Sequence, residues 1–201
     1  METKKTNRLE RLKKDPSYFI TEVIGDQLWQ KQKEIAQSVA DNERTVVKAC
    51  HGPGKTWISG RIVLWFLNTF PDSIVVTTAP TFSQVKDLLW KEIKHAHNQS
   101  QIELLGKVSD TRISIDAGWY AVGRSTNEPT RFQGFHAEHI MVVVDEAAGV
   151  DKEIFAAIDG ILSAGKMRRL LLIGNPTDPS SYFAERFKKP GWNKITISAL
   201  D

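Results

Sequence analysis

Six consecutive positions, His51-Gly52-Pro53-Gly54-Lys55-Thr56, combine the residue types that can hold a polyphosphate. Glycines let backbone N–H groups turn inward around phosphate oxygens. A lysine at position 55 would reach the β- and γ-phosphates, and the Thr56 hydroxyl would bind Mg²⁺. The stretch follows a β-branched run and precedes an apolar helical one, so the helix would aim its positive N-terminal dipole at the same anion. The phosphate-cradling template G-x-x-x-x-G-K-[ST] asks for glycine at position 49, where this chain has Ala49. A glycine-capped strand-to-helix turn would use the same residues. What separates the two readings is whether a metal-binding acid and a base lie elsewhere in the chain.

Both types occur together at Asp145-Glu146, after the apolar run Met141 to Val144. A carboxylate at the tip of a buried strand can hold Mg²⁺, and its neighbour can polarise an attacking water. Burying the ends of two acids without a cation or donors is costly, which disfavours an ordinary surface turn. In "LLLIGNPT", Asn175 ends another apolar run and could sense a γ-phosphate by hydrogen bonding; a strand exit broken by Asn-Pro explains it equally. Gln30 and Gln32 each offer a donor and an acceptor suited to the adenine edge, though exposed helical glutamines would look the same. His95 and His97 stand two apart and so face different ways on a helix, and no cysteine or acid cluster accompanies them, which disfavours a metal site.

These residues need a frame. Strand-like apolar runs are expected at Thr45 to Val47, Ser73 to Pro80, His139 to Val144, Arg168 to Gly174 and Asn193 to the chain end. A hairpin is expected around Asp116-Ala117-Gly118. Helical spacing covers Tyr18 to Ala40, broken near Gly25, then Thr56 to Phe70, Phe82 to His97, Lys152 to Ser163 and Ser180 to Lys188. Continuously apolar strands alternating with helices indicate a parallel α/β sheet covered on both faces. In such sheets ligands bind beyond the carboxyl ends of the strands, which is where the loop, Asp145-Glu146 and Asn175 all fall.

The 201 residues, 41% hydrophobic and 25% charged, fit one soluble globular domain. No apolar run reaches the ~20 residues needed to span a bilayer. The charged N-terminus lacks the apolar core of a signal peptide, and the single cysteine, Cys50, allows no internal disulfide. A cytosolic protein is expected. Met1 to Lys14 carries six Lys/Arg against two Glu, a local +4, while the whole chain is only +3. Residues 1–17 are therefore expected as a basic arm, either solvated or docked on a phosphate or a partner, ahead of a domain at 18–201.

With "LWQKQKEI", "ACHGPGKT", "TTAPTFSQVKDLLW", "FQGFHAEHIMVVVDEAAGV" and "LLLIGNPTDPSSYF" in this order, the chain resembles the ATPase domain of the large terminase subunit of tailed bacteriophages. The resemblance implies a P-loop NTPase fold of the ASCE, RecA-like kind, a mostly parallel sheet with helices on both faces. It implies ATP and Mg²⁺ as cofactors, and hydrolysis coupled to translocation of double-stranded DNA into a procapsid. Lys55 and Thr56 become the phosphate and metal ligands, with His51, Gly52, Pro53 and Gly54 forming the loop. Asp145 becomes the metal acid, Glu146 the catalytic base, Gln32 (or Gln30) the adenine reader and Asn175 the coupling residue. The implied partners are a portal protein, a small terminase subunit and further copies of the chain in a ring, with no membrane. Its implied location is the host cytoplasm, transiently at the portal and not in the mature virion. A C-terminal RNase H-like nuclease domain is expected in the full-length protein.

Three departures from the family pattern stand out. Ala49 replaces the first glycine, and His51 stands where some relatives carry arginine. Gln133 stands where others carry an arginine directed into the neighbouring subunit. Arg131, with Arg124 nearby, is the expected finger instead. Two other readings remain: one RecA-like half of a superfamily-2 helicase, and a non-catalytic nucleotide-binding scaffold.

Overall fold

The computed structural model describes residues 2–126, 129–132, 134–163 and 165–201, the side chains of 2–6, 129 and 131 excepted. Its centre is an eight-stranded sheet: β1 (Arg44–Ala49), β2 (Ser73–Thr78), β3 (Lys107–Val108), β4 (Arg112–Asp116), β5 (Trp119–Gly123), β6 (His139–Val144), β7 (Met167–Gly174) and β8 (Asn193–Ile197). The spatial order is β3-β4-β5-β2-β6-β7-β1-β8. From β5 to β8 every pairing is parallel; only β3-β4-β5 run antiparallel at one edge. The mostly parallel α/β architecture follows from the central apolar strands β2 and β6, buried on both faces, while β3, β4 and β8 toward the edges are partly exposed. The expected hairpin turns at Asp116 to Trp119.

Helices cover both faces. On one lie α1 (Glu2–Lys14), α2 (Pro16–Phe19), α3 (Gln30–Asp41), α4 (Lys55–Thr69) and α5 (Trp90–Gln99); on the other lie α6 (Lys152–Ser163) and α7 (Tyr182–Arg186). Alternate strand residues feed the two cores. Val47, Val143 and Ile173 pack with α3 and α4, while Val46, Val142, Val144 and Leu172 pack with α6 and Phe183. Helix α4 is apolar nearly all round, and Ile58, Ile62, Leu64, Trp65 and Phe66 are inaccessible to solvent. It is the central helix, buried between the sheet and its neighbours.

One expectation changes. Residues 1–17, expected as an arm, form α1 and the start of α2. The Trp65 indole N–H donates to the Leu12 carbonyl at 2.8 Å, and Arg11 lies 3.8 Å over the Tyr18 ring. A buried indole needs an acceptor, and the end of α1 supplies one. The break expected near Gly25 in the helical stretch Tyr18 to Ala40 is there. After α2 a π-helical turn, Ile20–Ile24, ends at Gly25 with φ 94°, before α3 begins at Gln30. A second π-helical turn, Gln84–Leu89, leads into α5.

Candidate active site

The loop between β1 and α4 sits at the carboxyl rim of the sheet. Ala49 remains in the ladder, opposite Ile197, and is 1% exposed. Its φ is not positive, whereas Gly52 and Gly54 have φ 83° and 82°. The strand end therefore does not need glycine's conformational freedom, and alanine fits there. Gly54 has a second constraint: a Cβ would lie 2.7 Å from the Gln32 amide nitrogen.

The Lys55 ammonium is 7% exposed, donates to the Cys50 carbonyl at 3.1 Å and to Asn175 Oδ1, and lies 3.6 Å from Glu146 Oε1. Asn175 Nδ2 in turn lies 3.0 and 2.8 Å from the two ring nitrogens of His51. One chain of contacts thus joins the loop, the tip of β7 and the acid beyond β6. Register explains it: Val144 pairs with Leu172 and Lys48 with Gly174, so the ends of β6, β7 and β1 are adjacent.

At the tip of β6 the Thr56 hydroxyl donates to Asp145 Oδ2 at 2.7 Å, and the Glu146 N–H donates to Oδ1 at 3.1 Å. Asp145 is 3% exposed. Burial pushes its pKa up to about 6, the Thr56 hydrogen bond opposes this, and the Glu146 charge adds to it. An incompletely offset carboxylate beside a hydroxyl is a hard-oxygen donor pair, the set that Mg²⁺ takes.

Glu146 has φ 47° and ψ 45°, a left-handed conformation that costs an L-residue roughly 1–2 kcal/mol. The turn it opens, Ala147–Gly149, lies on the end of β7: a Cβ on Gly174 would come within 3.0 Å of the Ala147 nitrogen and 3.3 Å of the Glu146 carbonyl carbon. Gly174 thus permits the close approach that carries Glu146 to the rim. Sequence reasoning did not single it out, although a glycine ending an apolar strand is the signal for such an approach.

His51 to Trp57, with Glu92 and Glu146, line a cleft of about 350 Å³ over the loop. Trp57 and Glu92 are further lining residues that the sequence reading did not select. Gln32 is 7% exposed beside Gly54 and accepts from the Trp29 N–H at 3.4 Å, whereas Gln30 is exposed. Arg131 lies on a short 3₁₀ turn, Pro129–Phe132, before β6; its side chain and Gln133 lie outside the described residues. Arg124, just after β5, lies with its guanidinium carbon 5.6 Å from the centre of the Phe135 ring. Among the described residues no three His, Cys, Asp or Glu side chains cluster as a metal site, and no helix is long and apolar enough to cross a membrane.

Comparison with known proteins adds the family. Residues 49–200 match the model of the N-terminal part of the T4likevirus-type terminase large subunit. The chain belongs to the terminase large subunit family. It is 32% identical over 166 residues to the "Probable terminase, large subunit" of Enterobacteria phage P7, covering 77% of this chain and 33% of that one. This terminase chain therefore spans about a third of the length of that relative.

The terminase fold is seen in solved structures too. The large terminase ATPase domain of Thermus phage P74-26 matches with TM-score 0.74 at 18% identity, over 93% of this chain and 87% of that one. The large terminase of a thermophilic bacteriophage, solved in complex with ATP-γ-S, matches with TM-score 0.67 at 16% identity, over 85% and 44%. The UvsW helicase of bacteriophage T4 matches at 0.55 and 16% identity, over 86% and 61%. At these identities the likeness is one of fold.

Proposed function

We propose that this terminase domain hydrolyses ATP and couples hydrolysis to translocation of double-stranded DNA into a procapsid. The observation that carries the reading is the Thr56–Asp145 hydrogen bond, which joins the loop to the tip of β6. Lys55 binds the β- and γ-phosphates, with the loop amides and the α4 N-terminus around them. Thr56 and Asp145 hold Mg²⁺, which neutralises charge on the phosphates when bound. Glu146 accepts the proton of the attacking water. Gln32 reads the adenine edge. Asn175, shared between Lys55 and His51, relays loss of the γ-phosphate to the strand β7.

Arg131 acts in trans on the next subunit of a ring docked on a portal protein, with a small terminase subunit selecting the DNA. Residues 18–201 form the ATPase domain, ahead of a C-terminal RNase H-like nuclease domain in the full-length protein. The motor works in the host cytoplasm, transiently at the portal. Packaging of double-stranded DNA into procapsids by the full-length protein tests the coupling. Lys55→Ala is expected to abolish packaging together with ATP turnover; packaging that continues without turnover would overturn the reading.

A further inference from the structure

The cleft over the loop has a wall that the phosphate chemistry leaves without a role. Trp57 follows Thr56 on α4 and lines the cleft together with Glu92. The Arg61 guanidinium lies 4.0 Å over its ring. Arg61 is held by three acceptors: Nε donates to Asp26 at 2.8 Å, and Nη1 donates to Glu92 at 2.8 Å and to the Trp57 carbonyl at 3.2 Å. A guanidinium that is 2% exposed and fixed by two carboxylates makes a rigid backing for an indole. Gln32 stands close by. The position of a Cβ on Gly54 would be 2.7 Å from Gln32 Nε2 and 3.8 Å from Trp57 Cβ, so the Gln32 amide and the root of the Trp57 side chain lie beside the same glycine.

We propose that Trp57 is the base-stacking platform of the nucleotide site and, with Gln32, makes it selective for a purine nucleoside triphosphate. The inference rests on the nucleotide reading above and extends it to the base. Arg61 closes one face of the indole, and the purine lies on the other, its hydrogen-bonding edge toward the Gln32 amide. A stacked base contributes to binding through its area and polarisability, so a purine, with the larger face, gains more than a pyrimidine. The phosphates are gripped separately by the loop. Removing the platform therefore weakens nucleotide binding without touching phosphate binding.

Equilibrium binding of ATP, CTP and inorganic tripolyphosphate, each with Mg²⁺, to the wild type, Trp57→Ala and Trp57→Phe separates these contributions. Trp57→Ala is expected to weaken ATP binding roughly tenfold to a hundredfold, to narrow the gap between ATP and CTP, and to leave tripolyphosphate within about twofold. Trp57→Phe, which keeps an aromatic face, is expected to stay within a few-fold of wild type for ATP. Unchanged ATP affinity in Trp57→Ala would overturn the platform, as would equal loss of ATP and tripolyphosphate. A wild type that binds neither ATP nor tripolyphosphate would remove the nucleotide reading and the platform with it. A wild type that binds tripolyphosphate and ATP equally well would leave the phosphate site standing and overturn the platform alone.

Discussion

Thr56 and Asp145, 89 positions apart in sequence, share a 2.7 Å hydrogen bond at the carboxyl rim of the sheet. The bond forms because β1 and β6 flank β7 in parallel register, and α4 starts directly beyond β1. It is also under stress. The Thr56 hydroxyl and the Glu146 N–H donate to a carboxylate that burial disfavours, and together they offset that burial only in part.

Asp145 should therefore cost stability when no cation is bound. Its native pKa, about 6, is raised from the ordinary 3.8 mainly by burial. Between these two values the unfolded chain has lost the proton while the native one keeps it, so this group makes stability fall as pH rises through that window. Above it the penalty is complete, on the order of 2–3 kcal/mol. Asp145→Asn, which retains an acceptor for Thr56, should raise the urea midpoint at pH 7 in the absence of Mg²⁺ and flatten the slope between pH 4 and 6. An unchanged midpoint and slope would contradict this.

Gly174→Ala places a methyl 3.0 Å from the Ala147 nitrogen and 3.3 Å from the Glu146 carbonyl carbon. The neighbours are backbone and cannot rotate away, so the turn carrying Glu146 must shift. Steady-state ATPase kinetics should show kcat falling at least tenfold while KM changes less than threefold. A kcat within twofold of wild type would show that the close approach does not position Glu146.

Helix α1 is expected to contribute to stability through Trp65, whose side chain is fully buried and whose N–H is accepted by Leu12. Deleting residues 1–14 removes that hydrogen bond, worth about 0.5–1.5 kcal/mol net, and uncovers the apolar ring to water. Denaturant unfolding of the deletion variant should show a lower midpoint. An identical midpoint would mean that the segment is dispensable, as a solvated arm would be.

The strands were legible because parallel strands buried on both faces leave short, continuous apolar runs rich in β-branched residues or leucine, such as Val142 to Val144 or Leu170 to Ile173. The rim residues were legible for the same reason: polar groups that end such runs must lie at the carboxyl edge. Strand order was not, since apolar content does not say which neighbour a strand takes. The two π-helical turns left no periodic signal, because a five- or six-residue stretch at another pitch resembles an ordinary helix. The role of Gly174 depends on a tertiary approach, and the clamp on Arg61 depends on Asp26 and Glu92, which are distant in sequence. In α1 the basic residues masked Leu12, whose carbonyl, and not only its side chain, makes the decisive contact.

Glu146, proposed as the base that activates water, is held at the rim in a left-handed conformation and 3.6 Å from Lys55. The most direct test of that role is to measure MgATP affinity and turnover in the same preparation of wild type and Glu146→Gln. Affinity is expected to stay within about threefold and turnover to fall by about 10²–10⁴, the range that a general base contributes. Turnover within a few-fold of wild type, with nucleotide still bound, would contradict it.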